Sequence, residues 1–378
     1  MNNRVVTIIP SLYDGGAEKF AADLSFGISE ENELLTLIYN TTEETYPHSG
    51  KLIDLQVAET NGVLKKIKRQ FSIKKKIKAF KEKNSFHVSI SHMLMANMLN
   101  LLTKKNEKTI CVIHGEWSIK SGKGRFIDYF IKRIYRRADM IISVSHFIKQ
   151  RFDEYYSLQV PHQVIYAGID IDAVEEQATK KLDINLPTTY IVYVAGFRPV
   201  KNHIKLLNQL EAYLKEEDIS LVLLGDGPLR NAIEKEICKL GLQEKVLVLG
   251  NMSNPYPVIK KAKASVLYSS SESFSLVVVE SMALGVPVIA TDCGGPREIL
   301  LFNNEEEVPL PFRNDFGILI ENPEKTNTCN LSSEIDFLLK NKDVWENISE
   351  NGKKRSKAFS IKKATEAYNH LISTIIAS

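Results

Sequence analysis

The sequence is poor in cysteine and has no long apolar run, and both absences narrow the class of protein. Its four cysteines form no CxxC pair, so we predict neither a disulfide framework nor a zinc site, and the thiols indicate a reducing compartment. They are Cys111, Cys238, Cys293 and Cys329. No apolar stretch reaches the length that spans a bilayer. The first residues lack the apolar segment and cleavage site of a signal peptide, so we expect a cytoplasmic protein.

An excess of charge of one sign is also missing. The formal net charge is +3, with 25% charged and 44% hydrophobic residues, which is typical of a soluble globular protein. A chain of 378 residues is too long for one ordinary core and suits two domains. The sequence contains no HExxH, GxSxG or Walker A motif, which argues against three well-marked classes of enzyme.

Strand-like and helix-like segments alternate in two series. Strands are predicted at 5–9, 34–38, 87–90, 109–113, 140–144 and 163–166, and then at 190–194, 220–224, 246–249, 264–268, 287–290 and 317–320. Short β-branched runs separated by helices are typical of parallel sheets covered on both faces. We therefore predict an α/β fold of two Rossmann-like domains that face a central cleft, with ligands at the carboxyl ends of the strands.

A polar stretch at 170–187 separates the two series, and we interpret it as an interdomain linker with a short helix. The N-terminal domain is accordingly placed at 1–170 and the C-terminal domain at 171–360. The last segment, 362–376, carries apolar residues at helical spacing, so it is predicted to form a helix whose apolar stripe packs on another part of the protein.

The most informative segment is a loop that carries Glu272, followed by an apolar helix that carries Glu280. The N–H groups at the start of this helix lack helical acceptors, and the helix dipole favours an anion there. These N–H groups belong to Phe274, Ser275, Leu276 and Val277. A phosphate cradle with two carboxylates that can bind hydroxyl groups suits a nucleotide sugar. The alternative is an amphipathic helix with a surface glutamate at each end.

Arg198 and Lys201 lie between the first strand and the first helix of the second domain, where a diphosphate would bind. A cation there neutralises charge on a departing diphosphate, although two solvated bases in a loop are the alternative. Gly225 follows the next strand in a Gly-Asp-Gly-Pro turn that permits close approach of a ligand. An ordinary strand–turn–helix connection explains that turn equally well.

In the first domain, Gly15 and Gly16 precede the first helix, where paired glycines let backbone amides approach a phosphate or a sugar. The pair is not a GxGxxG fingerprint. His114 ends another strand and is a candidate contact of the donor sugar, with a structural role as the alternative. Asp170 and Asp172 match a DxD metal motif, but a turn in the linker explains them better. We therefore expect no metal and no other cofactor.

A basic run from Lys65 to Lys83 interleaves lysines with apolar residues. Basic amphipathic stretches bind anionic membrane surfaces, with roughly 1 kcal/mol for each basic residue near the surface. The alternatives are a solvated helix face and a nucleic-acid patch. Nucleic acid is disfavoured because no nucleic-acid-binding module accompanies the run. We expect the run to dock on an anionic membrane.

These motifs together resemble the retaining glycosyltransferases of family 4, which have the GT-B fold, and the resemblance covers nearly the whole chain. Its most specific elements are the E-x7-E motif of Glu272 and Glu280, the turn at Gly225, the Gly15-Gly16 pair, and Gly-Gly-Pro-Arg-Glu at 294–298. The resemblance implies that Glu272 binds hydroxyl groups of the donor sugar, Glu280 the ribose and Lys201 the diphosphate, without a metal. It implies an N-terminal domain that binds the acceptor, with the C-terminal helix returning to it, and a C-terminal domain that binds the nucleotide sugar.

The sequence departs from the family pattern at three places. Ala195-Gly196 stands where the family has Gly-Arg, and Arg198 comes two positions later. Ala167 replaces an asparagine, which removes a polar side chain. Ser275 replaces a glycine, which narrows the room beside the donor sugar and makes this residue a candidate determinant of sugar choice.

The sequence thus predicts a retaining hexosyltransferase. It would move a hexose or N-acetylhexosamine from a nucleotide diphosphate sugar, with UDP as the expected nucleotide, to a lipid-linked saccharide in the synthesis of O-antigen, capsule or exopolysaccharide. The enzyme would be peripheral on the inner face of the cytoplasmic membrane. Two rivals remain: a GT-B nucleotide-sugar epimerase, which needs no acceptor, and a catalytically silent nucleotide-sugar-binding protein.

Overall fold

The structure, a computed structural model, describes residues 3–13, 15–41, 45–115, 125–301, 307–326 and 330–377. The chain divides into two compact units. The N-terminal unit consists of Met1–Gly168 and Ile361–Ser378, and the C-terminal unit of Ile169–Ser360. The domain boundaries predicted from the sequence follow residues 170 and 360, and the units of the structure change after Gly168 and Ser360.

The N-terminal unit is an α/β layer structure. Its strands are β1 (Asn3–Ile8), β2 (Asn32–Ile38), β3 (Lys51–Asp54), β4 (Val88–His92), β5 (Lys108–Ile113), β6 (Met140–Ser143) and β7 (His162–Val164). Its helices are α1 (Gly16–Glu31), α2 (Val63–Lys83), α3 (Leu94–Leu102), α4 (Arg125–Tyr135), α5 (His146–Tyr156) and α14 (Ile361–Ala377). The sheet order is β3-β2-β1-β4-β5-β6-β7, and every pair is parallel.

The C-terminal unit repeats this architecture. Its strands are β8 (Tyr190–Val194), β9 (Ser220–Leu224), β10 (Val246–Gly250), β11 (Ala264–Leu267), β12 (Val288–Thr291), β13 (Phe312–Asn314) and β14 (Gly317–Ile320). Its helices are α6 (Ile171–Gln177), α7 (His203–Glu216), α8 (Arg230–Lys239), α9 (Tyr256–Lys261), α10 (Leu276–Ala283), α11 (Gly295–Leu300), α12 (Leu331–Lys340) and α13 (Lys342–Ser356). The sheet order is β10-β9-β8-β11-β12-β14-β13, with an antiparallel β13–β14 pair.

Burial on both faces of the sheets explains why the strands are short continuous apolar runs. In the N-terminal unit, Val6 and Ile8 of β1 pack in one cluster with residues of α2 and α3. The next residue, Ile9, packs in another cluster with Ala21 and Ala22 of α1. Successive side chains of a strand point to opposite faces, so both faces of this sheet are covered by helices.

Two strands escaped the sequence analysis, and both lie at a sheet edge. In β3 no residue is fully buried, and the strand begins with Lys51 and ends with Asp54. In β13 the middle residue is the exposed Arg313. Edge strands need no continuous apolar run, because one side of the ladder faces solvent or loops. The antiparallel β13 also corrects the prediction of purely parallel sheets.

The C-terminal helix α14 packs on α1 of the N-terminal unit, which confirms the predicted return of this helix. Tyr368 is fully buried, and its ring centroid lies 6.4 Å from that of Phe20. Asn369 Nδ2 donates to the carbonyl oxygen of Gly27 at 3.1 Å. The apolar stripe of the last helix therefore completes the N-terminal unit.

Three of the four cysteines lie among the described residues. Cys111 and Cys293 are buried, Cys238 is exposed, and none of the three forms a disulfide. Cys329 lies outside the described residues. Within the described ranges, no helix combines the length and the apolar character needed to cross a bilayer.

Candidate functional site

Most of the predicted site residues of the C-terminal unit follow two neighbouring strands. β8 and β11 pair in parallel, so the segments that follow them leave the same edge of the sheet. After β8, a short 3-10 turn, Pro199–Lys201, ends in Lys201. After β11, the chain reaches Glu272, whose backbone N–H donates to the carbonyl oxygen of Cys293 at 2.9 Å. The Glu272 carbonyl oxygen accepts from the N–H of Gly295 at 2.9 Å, which anchors this loop on both sides.

Lys201 and Glu272 form an ion pair. Lys201 Nζ lies 2.6 Å from Glu272 Oε1, and the two side chains are 22% and 12% exposed. A charge-assisted bond between partly buried groups is stronger than a surface ion pair, and removal of one partner leaves the other charge uncompensated. Two residues predicted to bind different parts of one donor are therefore in direct contact.

Two buried hydroxyl groups support this ion pair. Ser269 Oγ donates to Glu272 Oε1 at 2.7 Å, and Tyr193 OH donates to the carbonyl oxygen of Lys201 at 2.7 Å. Ser269 and Tyr193 are both fully buried. Neither residue was predicted from the sequence. Tyr193 stands in the apolar run of β8 and looks like a core residue, and the only signal for Ser269 was a polar side chain just after a buried strand.

Glu280 lies on the buried side of α10. It is 6% exposed, and Tyr256 OH donates to its Oε1 at 3.1 Å. Burial of a carboxylate costs free energy unless it is hydrogen-bonded, and the Tyr256 hydroxyl offsets part of that cost. Tyr256, the first residue of α9, is a further residue that the sequence analysis missed, because no motif surrounds it.

The start of α10 has an unusual backbone. Ser275, the N-cap, has φ 85° and ψ 83°, in the left-handed region that favours glycine, and its side chain makes no capping hydrogen bond. Within the described ranges, the N–H groups of Ser275, Leu276 and Val277 find no backbone acceptor. These amides therefore stay available to an anion.

Phe274 has a packing role at the same helix end. Its side chain is 3% exposed, and its ring meets that of Phe359 edge to face at 5.4 Å between centroids. A Cβ on Gly295 would lie 2.3 Å from the Cα of Phe274, so glycine is required for this close approach. The loop before α10 is thus fixed by packing on two sides.

Two further predicted residues lie near the turn that contains Lys201: Arg198 directly precedes the turn in the chain, and Gly225 approaches the backbone at Ala195. Gly225 has φ 135°, and a Cβ there would lie 2.1 Å from the carbonyl oxygen of Ala195. Glycine therefore allows the backbone after β9 to approach the backbone after β8. Arg198 is the N-cap of the 3-10 turn, and its side chain is exposed without a capping hydrogen bond.

In the N-terminal unit, Gly15 is the N-cap of α1 and Gly16 is its first residue. A Cβ on Gly15 would lie 2.2 Å from Glu18 Oε2, so the glutamate side chain folds back over the helix start. A carboxylate of the same helix therefore lies at the N-terminus that we predicted to approach a phosphate or a sugar. Glycine at position 15 is what leaves room for that carboxylate.

His114 follows β5 and is paired with a second imidazole. His92 Nδ1 lies 2.8 Å from His114 Nε2, and the two side chains are 1% and 8% exposed. Burial lowers the pKa of His114 to about 3, and burial together with the neighbouring His114 ring lowers the pKa of His92 well below its usual value. Both rings are therefore neutral at pH 7, so one ring donates an N–H to the bare nitrogen of the other.

The DxD pair in the linker has a local structural role. Asp170 is the N-cap of α6, and its Oδ1 accepts from the N–H of Ala173 at 3.0 Å. Asp172 lies in the first turn of the same helix. Helix capping thus explains the first Asp of the motif more fully than the turn that we expected. In the part of the chain that the structure describes, no cluster of three or more His, Cys, Asp or Glu side chains could hold a metal ion.

Two family models together match nearly the whole chain. The model for Glycosyltransferase Family 4 matches residues 14–173, and the model for Glycosyl transferases group 1 matches residues 174–355. The structure is similar to that of HepE from Anabaena in complex with UDP-glucose, with a TM-score of 0.75 and 16% identity over 99% of this chain and 100% of that chain. This chain belongs to the family 4 glycosyltransferases and has the GT-B fold.

Two relatives extend this family assignment. An N-acetylgalactosaminyltransferase from Campylobacter jejuni, named for a diphospho-undecaprenol-linked acceptor, is 28% identical over 96% of this chain and 98% of its own length. An N-acetyl-alpha-D-glucosaminyl L-malate synthase from Bacillus anthracis is 25% identical over 70% of this chain and 67% of its own length. The names of these two relatives thus refer to different compounds, a diphospho-undecaprenol-linked saccharide in one and L-malate in the other.

The predicted site residues of this glycosyltransferase are divided between the two units, and some of those in the C-terminal unit are in contact. Lys201 and Glu272 are in contact, and the available amides and Glu280 belong to the same short segment around α10. His114 and the Gly15-Gly16 pair belong to the N-terminal unit. The roles assigned to these residues remain predictions.

Proposed function

We propose that this glycosyltransferase moves a hexose or N-acetylhexosamine from a UDP-sugar to a lipid-linked saccharide, with retention of configuration, in the synthesis of a surface polysaccharide. The C. jejuni relative, named for a lipid-linked acceptor, matches nearly the full length of both chains and supports this class of acceptor. The HepE structure in complex with UDP-glucose supports UDP as the nucleotide. The C-terminal unit would bind the donor, and the N-terminal unit the acceptor.

The observation that carries this proposal is the Lys201–Glu272 ion pair beside the start of α10. Lys201 Nζ and the amides of Ser275, Leu276 and Val277 supply positive charge and N–H donors for a diphosphate. The second oxygen of Glu272 supplies an acceptor for sugar hydroxyl groups. Donors held in place before the reaction stabilise the charge that develops on the leaving diphosphate.

The proposed reaction requires little covalent chemistry from the protein. The acceptor oxygen forms a bond to the anomeric carbon on the face from which the diphosphate departs. As the bond between that carbon and the diphosphate oxygen breaks, the acceptor proton passes to the departing oxygen. Lys201 and the amides hold the diphosphate, Glu272 orients the sugar, and Glu280 binds the ribose, so catalysis consists of positioning and charge stabilisation.

The outer face of α2 supports association with an anionic membrane. Three of its apolar side chains are exposed: Leu64 at 77%, Ile67 at 48% and Phe71 at 68%. They recur at the spacing of one helix face, and exposed lysines flank them. We therefore propose that this face docks the enzyme on the inner leaflet.

The inner face of α2 corrects part of the predicted basic patch. Ile73 and Ile77 are fully buried in the core of the N-terminal unit. Lys81 is buried as well, with its Nζ 2.6 Å from Glu107 Oε1 and 2.6 Å from Asn100 Oδ1. Lys81 therefore fastens the helix to the core and is not available to a membrane.

The proposed function is tested by measuring donor turnover with and without a lipid-linked acceptor, after a thermal-shift screen of UDP-, GDP-, ADP- and dTDP-sugars. A donor at 100 times its dissociation constant should stabilise the fold by about 2.7 kcal/mol. Transfer should require the acceptor, and NMR of the product should show the anomeric configuration of the donor. Turnover of donor alone, with an epimerised product, would establish the epimerase instead. Donor binding without any transfer would establish the silent binding protein.

We also propose that transfer needs no metal. The charge of the diphosphate is balanced by Lys201 and backbone amides, and Asp170 is engaged in capping α6. Transfer measured in excess EDTA should match transfer in buffer alone. A complete loss of activity that Mn²⁺ or Mg²⁺ restores would contradict this proposal.

A further inference from the structure

Two neighbouring hydroxyl groups lie behind the Lys201–Glu272 pair, and each is bonded to one of the two loops that carry it. Ser269 Oγ lies 2.7 Å from Glu272 Oε1, and Tyr193 OH lies 2.7 Å from the carbonyl oxygen of Lys201. Tyr193 OH and Ser269 Oγ lie 3.3 Å apart. All these contacts are within the C-terminal unit. The Tyr193 phenol therefore lies between the Lys201 loop and the Glu272 loop.

The direction of each hydrogen bond follows from the chemistry of the partners. A carboxylate oxygen only accepts, so the Ser269 hydroxyl must donate its single proton to Glu272. A backbone carbonyl oxygen only accepts, so the Tyr193 phenol donates its single proton to Lys201. With these assignments, neither proton remains for the 3.3 Å contact between the two hydroxyl groups.

These assignments leave the two oxygens of Glu272 in different states. Oε1 accepts from both Lys201 Nζ and Ser269 Oγ, which uses the capacity of one carboxylate oxygen. Oε2 is the oxygen that keeps its capacity to accept from a sugar hydroxyl. The carboxylate is held at one end by two donors, so its free end has a fixed direction.

We propose that Ser269 is a positioning residue for the transfer reaction. It holds the Glu272 carboxylate so that Oε2 faces the donor sugar, and it keeps this orientation when Lys201 turns toward the diphosphate. Tyr193 supports the same arrangement by fixing the Lys201 backbone. This inference rests on the proposed function, because it assigns Glu272 to a sugar.

The location of Ser269 supports a role in positioning. Its side chain is fully buried, and its carbonyl oxygen accepts from Thr291 Oγ1 at 2.6 Å, which fixes the backbone at this residue. Ser269 is thus a buried donor on an anchored backbone, bonded to a carboxylate that is itself 12% exposed. A hydrogen bond to a charged group is worth about twice one between neutral groups.

The chain offers a matched control for this serine. Ser265 lies in β11 and is almost fully buried, and its Oγ accepts from Ser281 Oγ at 2.9 Å. Ser265→Ala and Ser269→Ala each remove one buried hydroxyl hydrogen bond from the same region. Only Ser269 is bonded to a residue of the proposed site.

The test compares donor turnover, UDP affinity and thermal unfolding of the two variants. Ser269→Ala should lower kcat roughly 10-fold to 100-fold, because a bond to a charged group is lost. Its affinity for UDP, measured by calorimetry, should stay within about twofold of the wild type, since Lys201 and the amides remain. Ser265→Ala should keep the wild-type kcat and melt at a similar temperature to Ser269→Ala.

A double variant separates positioning from a loss of structure. In a Glu272→Gln background, Ser269→Ala should cost far less than in the wild type, because the carboxylate that it positions is absent. An equal cost in both backgrounds, or an equal loss of kcat in Ser265→Ala, would overturn the proposal. If the wild type transfers no sugar from any nucleotide sugar, the proposed function fails and this inference fails with it. Normal wild-type transfer with an unaffected Ser269→Ala variant overturns only the inference.

Discussion

Lys201 and Glu272 carry opposite charges in direct contact, so a substitution at one leaves the charge of the other uncompensated. The Nζ–Oε1 distance of 2.6 Å means that the pair is nearly neutral as seen from a distance. A bound diphosphate would compete with Glu272 for the lysine protons, of which there are three. Lys201 can therefore keep one bond to Glu272 and donate others to phosphate oxygens.

The first prediction concerns Lys201. Lys201→Ala should lower the rate of sugar transfer by about 10²–10³, the range found when one preorganised donor is lost. Arg198→Ala should cost less, because Arg198 is exposed and is not the residue paired with Glu272. Steady-state kinetics with saturating donor measures both. A Lys201→Ala enzyme with the native rate would contradict the phosphate role.

The second prediction separates the two glutamates. Glu280→Gln should weaken binding of UDP, because Glu280 is predicted to bind the ribose. Glu272→Gln should lower turnover but preserve or tighten UDP binding, because Lys201 would then have no carboxylate to neutralise it. Calorimetry with UDP decides the matter. An equal loss of UDP affinity in the two variants would refute this division of roles.

At the residue scale, the site residues that could be predicted from the sequence are those that lie near the ends of predicted strands. Sequence reasoning located Lys201 and Glu272 at the ends of β8 and β11, which are neighbours in the sheet, so their contact follows from the topology. It could not identify Tyr193, because a tyrosine inside an apolar strand looks like any core residue. It also gave no sign that Ser275 adopts a left-handed backbone conformation, since φ is a property of the fold.

The two faces of α2 have different functions in the fold. One face carries Ile73, Ile77 and Lys81 into the core, and the other leaves Leu64 and Phe71 exposed. The sequence predicted a single basic amphipathic stretch, because its alternation of lysine and apolar residues does not show which apolar residues are buried. Only the packing of the helix on β1, β2 and α3 distinguishes them.

The third prediction concerns the exposed face of α2. Reversal of charge at four of its exposed lysines should abolish sedimentation with anionic liposomes and spare transfer to a short soluble acceptor. The four are Lys65, Lys68, Lys75 and Lys78. Lys76 is left unchanged because its Nζ donates to the carbonyl oxygen of Leu55 at 2.5 Å. Wild-type binding should weaken as salt shortens the screening length from about 10 Å at 0.1 M to about 3 Å at 1 M.

A control variant with the same change in net charge tests whether location matters. It reverses four exposed lysines of the C-terminal unit, Lys180, Lys181, Lys260 and Lys261, and it should sediment like the wild type. Leu64→Ser with Phe71→Ser should also weaken binding if the apolar side chains enter the leaflet. Wild-type protein that ignores anionic liposomes at low salt would show that α2 is only a solvated helix face.

For the whole molecule, buried imidazoles make stability depend on pH. His203 is 1% exposed, with its ring between those of Tyr193 and Phe197. Burial, together with the nearby Lys201 charge, lowers the pKa of His203 to about 4. His92 and His114 have pKa values lowered in the same direction in the N-terminal unit.

The fourth prediction follows from the sign of these shifts. Each ring is neutral in the folded state and takes up a proton near pH 6.5 in the unfolded state, so stability is present above that pH and is lost as pH falls. His203→Gln replaces the imidazole with a polar side chain that cannot titrate. Relative to the wild type, its free energy of unfolding should rise by about 1–2 kcal/mol between about pH 7.5 and about pH 5. Urea denaturation at the two pH values measures it, and a constant difference would contradict the assignment.

The C-terminal unit interrupts the N-terminal unit in the chain, between Gly168 and Ile361. The backbone N–H of Ile169 donates to the carbonyl oxygen of Phe359 at 3.1 Å, so the two ends of the C-terminal unit lie side by side. When the C-terminal unit is folded, it therefore holds Gly168 and Ile361 close together. When unfolded, it becomes a long loop whose closure costs about 4–5 kcal/mol of chain entropy. A substitution that unfolds the C-terminal unit would therefore also weaken the packing of α14 on α1, because the loop between them must then be closed at an entropic cost.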